Sequence, residues 1–83
     1  MNKFSEATKK QYHLASTIKS RICNDLREMD NLNELNKLAN TNYEKEELLK
    51  FFEEKDDFKY FISQNNINTN GIIVSTMMKL KHK

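Results

Sequence analysis

Proline is absent from this chain, and glycine and cysteine occur once each, as Gly71 and Cys23. Nothing along the sequence therefore forces a helix to stop, and helix boundaries must come from side-chain caps and asparagine turns. The single glycine excludes a glycine-rich phosphate loop. One cysteine excludes an internal disulfide, and Cys23, His13 and His82 form no metal-ligand spacing. No metal and no cofactor is expected. A lone thiol fits a reducing compartment, the cytoplasm. No apolar run approaches the roughly 20 residues that cross a bilayer. The basic N-terminus, Met1 to Lys10, lacks the apolar stretch of a secretory signal. No membrane partner is expected.

What is present is a helical vocabulary: abundant Lys, Glu and Leu in a chain of 83 residues, the size of one small domain (1–83). Eleven asparagines are unusual for a helical protein and must sit at caps and turns. Together with Lys and Ile they reflect AT-rich codons, of the kind many phages use. Charge is sorted by position. Residues 1–23 sum to +4, residues 24–57 to −6 and residues 58–83 to +4, and the last segment has no acid at all. Such a chain can cancel its field by folding its ends over its middle, pair with copies of itself, or offer its ends to an anion.

At 100° per residue, Phe4, Ala7, Leu14, Ala15, Ile18, Ile22, Leu26, Met29 and Leu32 fall on one stripe. The stripe predicts a long first helix over about 5–29, capped by Ser5. Asn31 with Glu34, and Thr41 with Glu44, have capping-box spacing. They predict a short helix over about 32–39 and an aromatic helix over about 43–63. Residues 67–80 are ambiguous: Ile67, Ile72, Ile73 and Val74 with Asn70-Gly71 would suit a hairpin, whereas Ile73, Met77 and Leu80 keep helical spacing. A terminal helix over about 70–79 is preferred, because no other strand exists to support a hairpin. The expected fold class is all-α, a small multi-helix hairpin or bundle.

Candidate chemistry is sparse. Glu53, Glu54, Asp56 and Asp57 are close carboxylates, but consecutive positions on a helix fan outward into a solvated acidic face. Cys23 and His13 lie about 15 Å apart along one helix, too far for a nucleophile and its base. No catalytic residue is assigned, and the chain reads as a non-enzyme. The aromatic helix is apolar around much of its circumference, more than one short neighbour can cover. Leu48, Phe51, Phe52, Phe58, Tyr60 and Phe61 are therefore the expected partner interface, toward another subunit or a host protein. Lys9, Lys10, Tyr12, Lys19, Arg21, Lys79 and Lys81 are candidates to hold a small anionic ligand. Residues 61–80 can also be laid on a helix-turn-helix, with Asn66 in the turn, Ile67 plugging the core and Thr69 capping a recognition helix. That helix lacks arginine.

The segment Tyr43-Glu44-Lys45-Glu46-Glu47-Leu48-Leu49-Lys50-Phe51-Phe52-Glu53-Glu54, followed by Phe58, resembles the second arm of the helical hairpins in phage anti-CBASS sponge proteins. The likeness lies in the Glu-Lys start, the leucine, the paired glutamates and the aromatic residue. This chain departs from the pattern in its longer stretch before that arm and in its terminal Ile/Met segment. The resemblance implies a small helical oligomer that sequesters a cyclic nucleotide without hydrolysing it, and it assigns no binding residue. From the residues alone the expected function is stoichiometric binding: a small cytoplasmic regulator or inhibitor, phage-encoded, that oligomerises and acts on a host protein. The alternatives are a nucleotide sponge and a DNA-binding regulator.

Overall fold

The computed structural model describes residues 2–82, and among them there are five α-helices and no strand. They are α1 (Lys9–Glu28), α2 (Leu32–Ala39), α3 (Lys45–Glu54), α4 (Phe58–Ser63) and α5 (Thr69–Lys81), preceded by a 3-10 turn at Phe4–Glu6. The all-α helical bundle expected from periodicity is what forms. The α1 helix is the axis. Helices α3 and α4 lie against it, α2 packs against α5, and α5 also touches α1. The radius of gyration is 12.8 Å, against about 12 Å for a compact chain of this length. The terminal helix replaces the hairpin alternative at residues 67–80.

The first boundary moves. Helix α1 starts at Lys9, not near Ser5, because Thr8 and Gln11 close a reciprocal cap: Gln11 N–H donates to Thr8 Oγ1 at 3.2 Å, and Thr8 N–H to Gln11 Oε1 at 2.9 Å. The preceding turn folds back over the bundle. Phe4 N–H donates to Asp56 Oδ1 at 2.7 Å and Phe58 N–H to the Asn2 carbonyl at 2.8 Å.

Neither anticipated capping box forms. Asn31 makes no side-chain cap, and α3 is capped one turn later than Thr41 would place it, by Glu44 N–H donating to Glu47 Oε1 at 3.0 Å. Thr41 instead donates to Asn36 Oδ1 at 2.8 Å. Asn36, buried, also accepts from Tyr43 N–H at 2.9 Å and donates to the Tyr43 carbonyl at 3.0 Å. One side chain thus satisfies the α2–α3 turn. Helix α2 itself ends on Asn40 in the left-handed region (φ 56°), where Thr41 N–H closes onto the Asn36 carbonyl at 2.9 Å. Asparagine does there what glycine usually does.

The aromatic helix expected over 43–63 is two helices. Asp57 starts α4 by accepting from Tyr60 N–H at 3.1 Å, and its neighbour Asp56 is drawn away to Phe4. The break re-aims the second half, so that Phe58 and Phe61 reach the same core as Leu48 and Phe52. Leu48, Phe52 and Phe61 have no exposed surface, and Phe58 is buried. Most of the ring surface predicted to need a second subunit is covered inside one chain, while Phe51 and Tyr60 stay half-buried. Ala15, Ile18, Ile22, Cys23 and Leu26 of α1, Leu35 and Ala39 of α2, and Ile72, Ile73 and Met77 of α5 complete the core.

Three cations end helices. Lys19 Nζ donates to the Glu53 and Lys55 carbonyls (2.9 and 3.1 Å), closing α3. Lys45 Nζ donates to the Arg27 and Met29 carbonyls (3.0 and 2.8 Å), closing α1. Arg21 reaches the Gln64 and Ile67 carbonyls (3.4 and 3.0 Å) in the turn after α4. Lys19 and Lys45 place positive charge where the helix dipole leaves orphan carbonyls, and Arg21 ties the end of α4 to the start of α5.

Candidate functional site

The exposed side of α1 carries two adjoining concavities. On one flank Lys9, Lys10, His13, Leu14 and Thr17 form an open shelf of about 690 Å³. Spacings of three and four residues bring these side chains onto one helical face. Leu14 is the apolar side chain of this shelf, and the exposed Lys9 and Lys10 border it. No acidic residue lines the shelf. On the other flank, a groove of about 580 Å³ runs between α1 and the end of α3, lined by Tyr12, Ser16, Ser20 and Arg27 on one side and Glu53 and Asp56 on the other. Tyr12 stacks edge-on against Phe4 (5.7 Å between centroids) yet remains 51% exposed, and Leu14 is 39% exposed.

The predicted site residues separate into three groups. Of the interface set, Leu48, Phe52, Phe58 and Phe61 are core and are unavailable to a partner, whereas Phe51 and Tyr60 are half-buried. Of the anion set, Lys19 and Arg21 are engaged with backbone carbonyls, so they stabilise turns instead of presenting free charge. Arg21 Nε is buried with no hydrogen-bond partner among the described residues. Lys9 and Lys10 line the shelf, Tyr12 the groove, and Lys79 a separate cleft together with Phe51 and Tyr60. Lys81 is exposed at the end of α5 and lines none of these concavities. Leu14, His13 and Thr17 were not singled out as site residues by sequence. The signal was available: Leu14 lies at the edge of the apolar stripe, beside the lysines.

The acidic cluster is dispersed into separate duties. Asp56 holds Phe4, Asp57 caps α4, and Glu53 pairs with Arg27 at 3.0 Å. That pair is the sole salt bridge among the described residues, and with both partners half exposed it adds little stability. Among the described residues the charge segments are therefore not neutralised by direct ion pairing, and three cations, Lys19, Arg21 and Lys45, go to carbonyls instead. Among the described residues no three His, Cys, Asp or Glu side chains are grouped to hold a metal ion, and no helix is long and apolar enough to cross a membrane.

Cys23 lies at the back of the groove, almost fully buried. Burial pushes its thiol pKa up from 9.0, with the Arg27 charge pulling the other way. Tyr60 is likewise raised from 10.0 by burial. The folded chain holds both protons more tightly than the unfolded chain. Their contribution to stability is present below pH 9.0 and lost as pH rises through the folded values. The melting temperature is expected to fall as pH is raised above 9.0, and Cys23→Ala should flatten the first part of that fall. A pH series of thermal melts on the two proteins checks this; parallel curves would contradict it.

The helix-turn-helix reading meets a different surface from the one it requires. Asn68, not Thr69, caps α5, accepting from Gly71 N–H at 2.8 Å. Ile67 is 44% exposed and plugs no core. Thr69 Oγ1 donates to Asp25 Oδ2, and Asp25 and Glu28 line a hollow with Asn68 and Asn70 at the start of α5. No protein family, curated protein or solved structure matches the chain.

Proposed function

We propose that this is a non-catalytic binding protein, a small regulator or inhibitor that acts by stoichiometric attachment to another protein through the exposed side of α1. The observation that carries this reading is the shelf: an apolar wall at Leu14, with Tyr12 uncovered on the adjoining flank, rimmed by Lys9, Lys10 and His13 and free of acid. An aromatic ring and a leucine left in water on a helix whose other side is anchored in the core suit helix-in-groove recognition. The cationic rim favours a partner whose groove is bordered by carboxylates. In the phage setting expected from composition, that partner is a host protein.

Two alternatives have weaker support. Duplex binding through residues 61–80 would bring Asp25 and Glu28, beside the start of α5, against the phosphate backbone. A nucleotide sponge of the kind the resemblance implies would draw on a hairpin arm across residues 43–58, but here that stretch is interrupted at residues 55–57 and Phe58 belongs to α4. Lys19 and Arg21 are also committed to carbonyls.

Native mass spectrometry of the protein recovered from host extract is the test, run in parallel on Leu14→Asp. Leu14 is partly exposed, so the variant should keep its helical circular dichroism. A polypeptide bound one-to-one by the parent and lost at least about tenfold in the variant is the expected result. A partner retained equally by both proteins, or no partner at all, would refute the reading.

A further inference from the structure

Away from α1, three elements meet around a small cleft of about 170 Å³: Phe51 and Lys55 from α3 and its end, Tyr60 from α4, and Thr76, Lys79 and Leu80 from α5. The cationic groups here are unspent. Lys55 Nζ stands 4.6 Å from the Tyr60 ring centroid and 5.3 Å from that of Phe51. Its sequence neighbours, Asp56 and Asp57, are occupied by the backbone amides of Phe4 and Tyr60. Neither Lys55 nor Lys79 has an ion-pair partner among the described residues, and no acidic side chain lines the cleft.

A neutral donor adds to the two ammonium groups. Thr76 Oγ1 donates its proton to the Ile72 carbonyl at 2.8 Å, so toward Tyr60 it can only accept. The Tyr60 hydroxyl is 3.4 Å from it, a long contact that leaves the phenol proton weakly engaged. Burial favours the protonated phenol, which keeps this donor in place at neutral pH. Phe51, the Tyr60 ring and Leu80 supply apolar walls.

We infer that this cleft binds a small carboxylate carried on a short apolar or aromatic body, with Lys55 and Lys79 facing the carboxylate, the Tyr60 hydroxyl donating to it and the rings covering its stem. The volume equals that of about six waters, enough for one ring and its carboxylate and too small for a nucleotide. The charge–ring arrangement is already assembled, because the rings hold the Lys55 ammonium in place before any ligand arrives. The cleft is separate from the α1 shelf, so either site can fail without the other.

The test is a titration of the isotope-labelled full chain with sodium benzoate, read by amide chemical shifts, with benzyl alcohol and benzylamine as uncharged and cationic controls. Benzoate should shift the amides of residues 51, 55, 60 and 76–80 with a dissociation constant on the order of 1 mM. Both controls should bind at least about tenfold more weakly. Lys79→Glu, at an exposed position that no fold contact needs, should weaken benzoate about tenfold while leaving the spectrum folded, and Lys55→Gln should do likewise. No localised shift with benzoate, equal binding of benzyl alcohol, or undiminished binding by Lys79→Glu would each overturn the inference.

Discussion

Phe61→Ala should leave little folded protein at 37 °C, and Phe51→Ala should leave most of it. Phe61 has no exposed surface, and its ring meets Phe4 at 5.9 Å and Tyr60 at 5.1 Å, with the Lys19 ammonium 5.6 Å from its centroid. Truncating such a ring removes its transfer free energy and leaves a cavity, about 3–5 kcal/mol together. A domain of this size has only about 4–12 kcal/mol in total. The loss also releases what leans on Phe61: the Phe4 turn and the end of α4. Phe51 is half-buried and pairs only with Phe52, at 5.2 Å, and with the Lys55 ammonium, so its truncation should cost about 1–2 kcal/mol. Urea unfolding followed by circular dichroism separates the two. If Phe61→Ala unfolds no earlier than Phe51→Ala, the burial of Phe61 in the single chain is wrong, and the idea of an intersubunit aromatic face returns.

Asn36→Leu should cost a further large amount, about 2–4 kcal/mol, although leucine has the same branched four-atom skeleton and is the better helix former. The amide of Asn36 makes three hydrogen bonds, to Thr41 and to both backbone groups of Tyr43. Leucine would leave the Tyr43 N–H, its carbonyl and the Thr41 hydroxyl without partners in a partly buried turn. Unpaired polar groups are more costly there than the apolar gain is worth. Asn36→Asp is the informative control: it retains the two acceptor contacts and loses the donor to the Tyr43 carbonyl, so it should fall between the parent and Asn36→Leu. Equal stability of all three proteins would show that the turn is held by something else.

Much of the fold is legible without coordinates. The stripe through Ala15, Ile18, Ile22 and Leu26 marks the buried face of α1, and those residues are the ones that disappear from solvent. The second helix, Leu32–Ala39, matches its expected bounds, and α5 follows the spacing of Ile73 and Met77 through a run of β-branched residues that suggested a strand. Caps were the weak point. Ser5 and Thr41 have suitable chemistry, but Thr8 and the Glu44–Glu47 pair close α1 and α3 instead, Asn31 precedes α2 without a side-chain cap, and Asn68 takes the place of Thr69 at α5. Several adjacent residues could close each helix, and the choice among them depends on where the chain must go next.

The candidate site was legible only in fragments. Lys9, Lys10 and Tyr12 could be picked out by residue type, and Lys79, Phe51 and Tyr60 likewise, yet nothing in the pattern says that the last three share a cleft with Lys55 and Thr76. The sorting of charge into segments is a true property of the chain that does not say which groups meet. It left three outcomes open, and within the chain the N-terminal segment does reach the middle, through Phe4 N–H on Asp56 and Lys19 on the Glu53 carbonyl, while Arg21 and Lys45 go to carbonyls and Asp25 and Asp57 to hydroxyl and amide groups.

By itself, then, the sequence determined an all-α chain with a periodic core face and no means of making a disulfide or a phosphate loop, because propensity, period and residue count are local properties. The tertiary structure alone decided that the aromatic run would break at residues 55–57, that Phe52, Phe58 and Phe61 would be buried inside one chain, and which cations would remain free. Those outcomes depend on contacts across tens of residues, such as Lys19 with Glu53 and Phe4 with Asp56, and a helical wheel carries no information about what arrives from elsewhere in the chain.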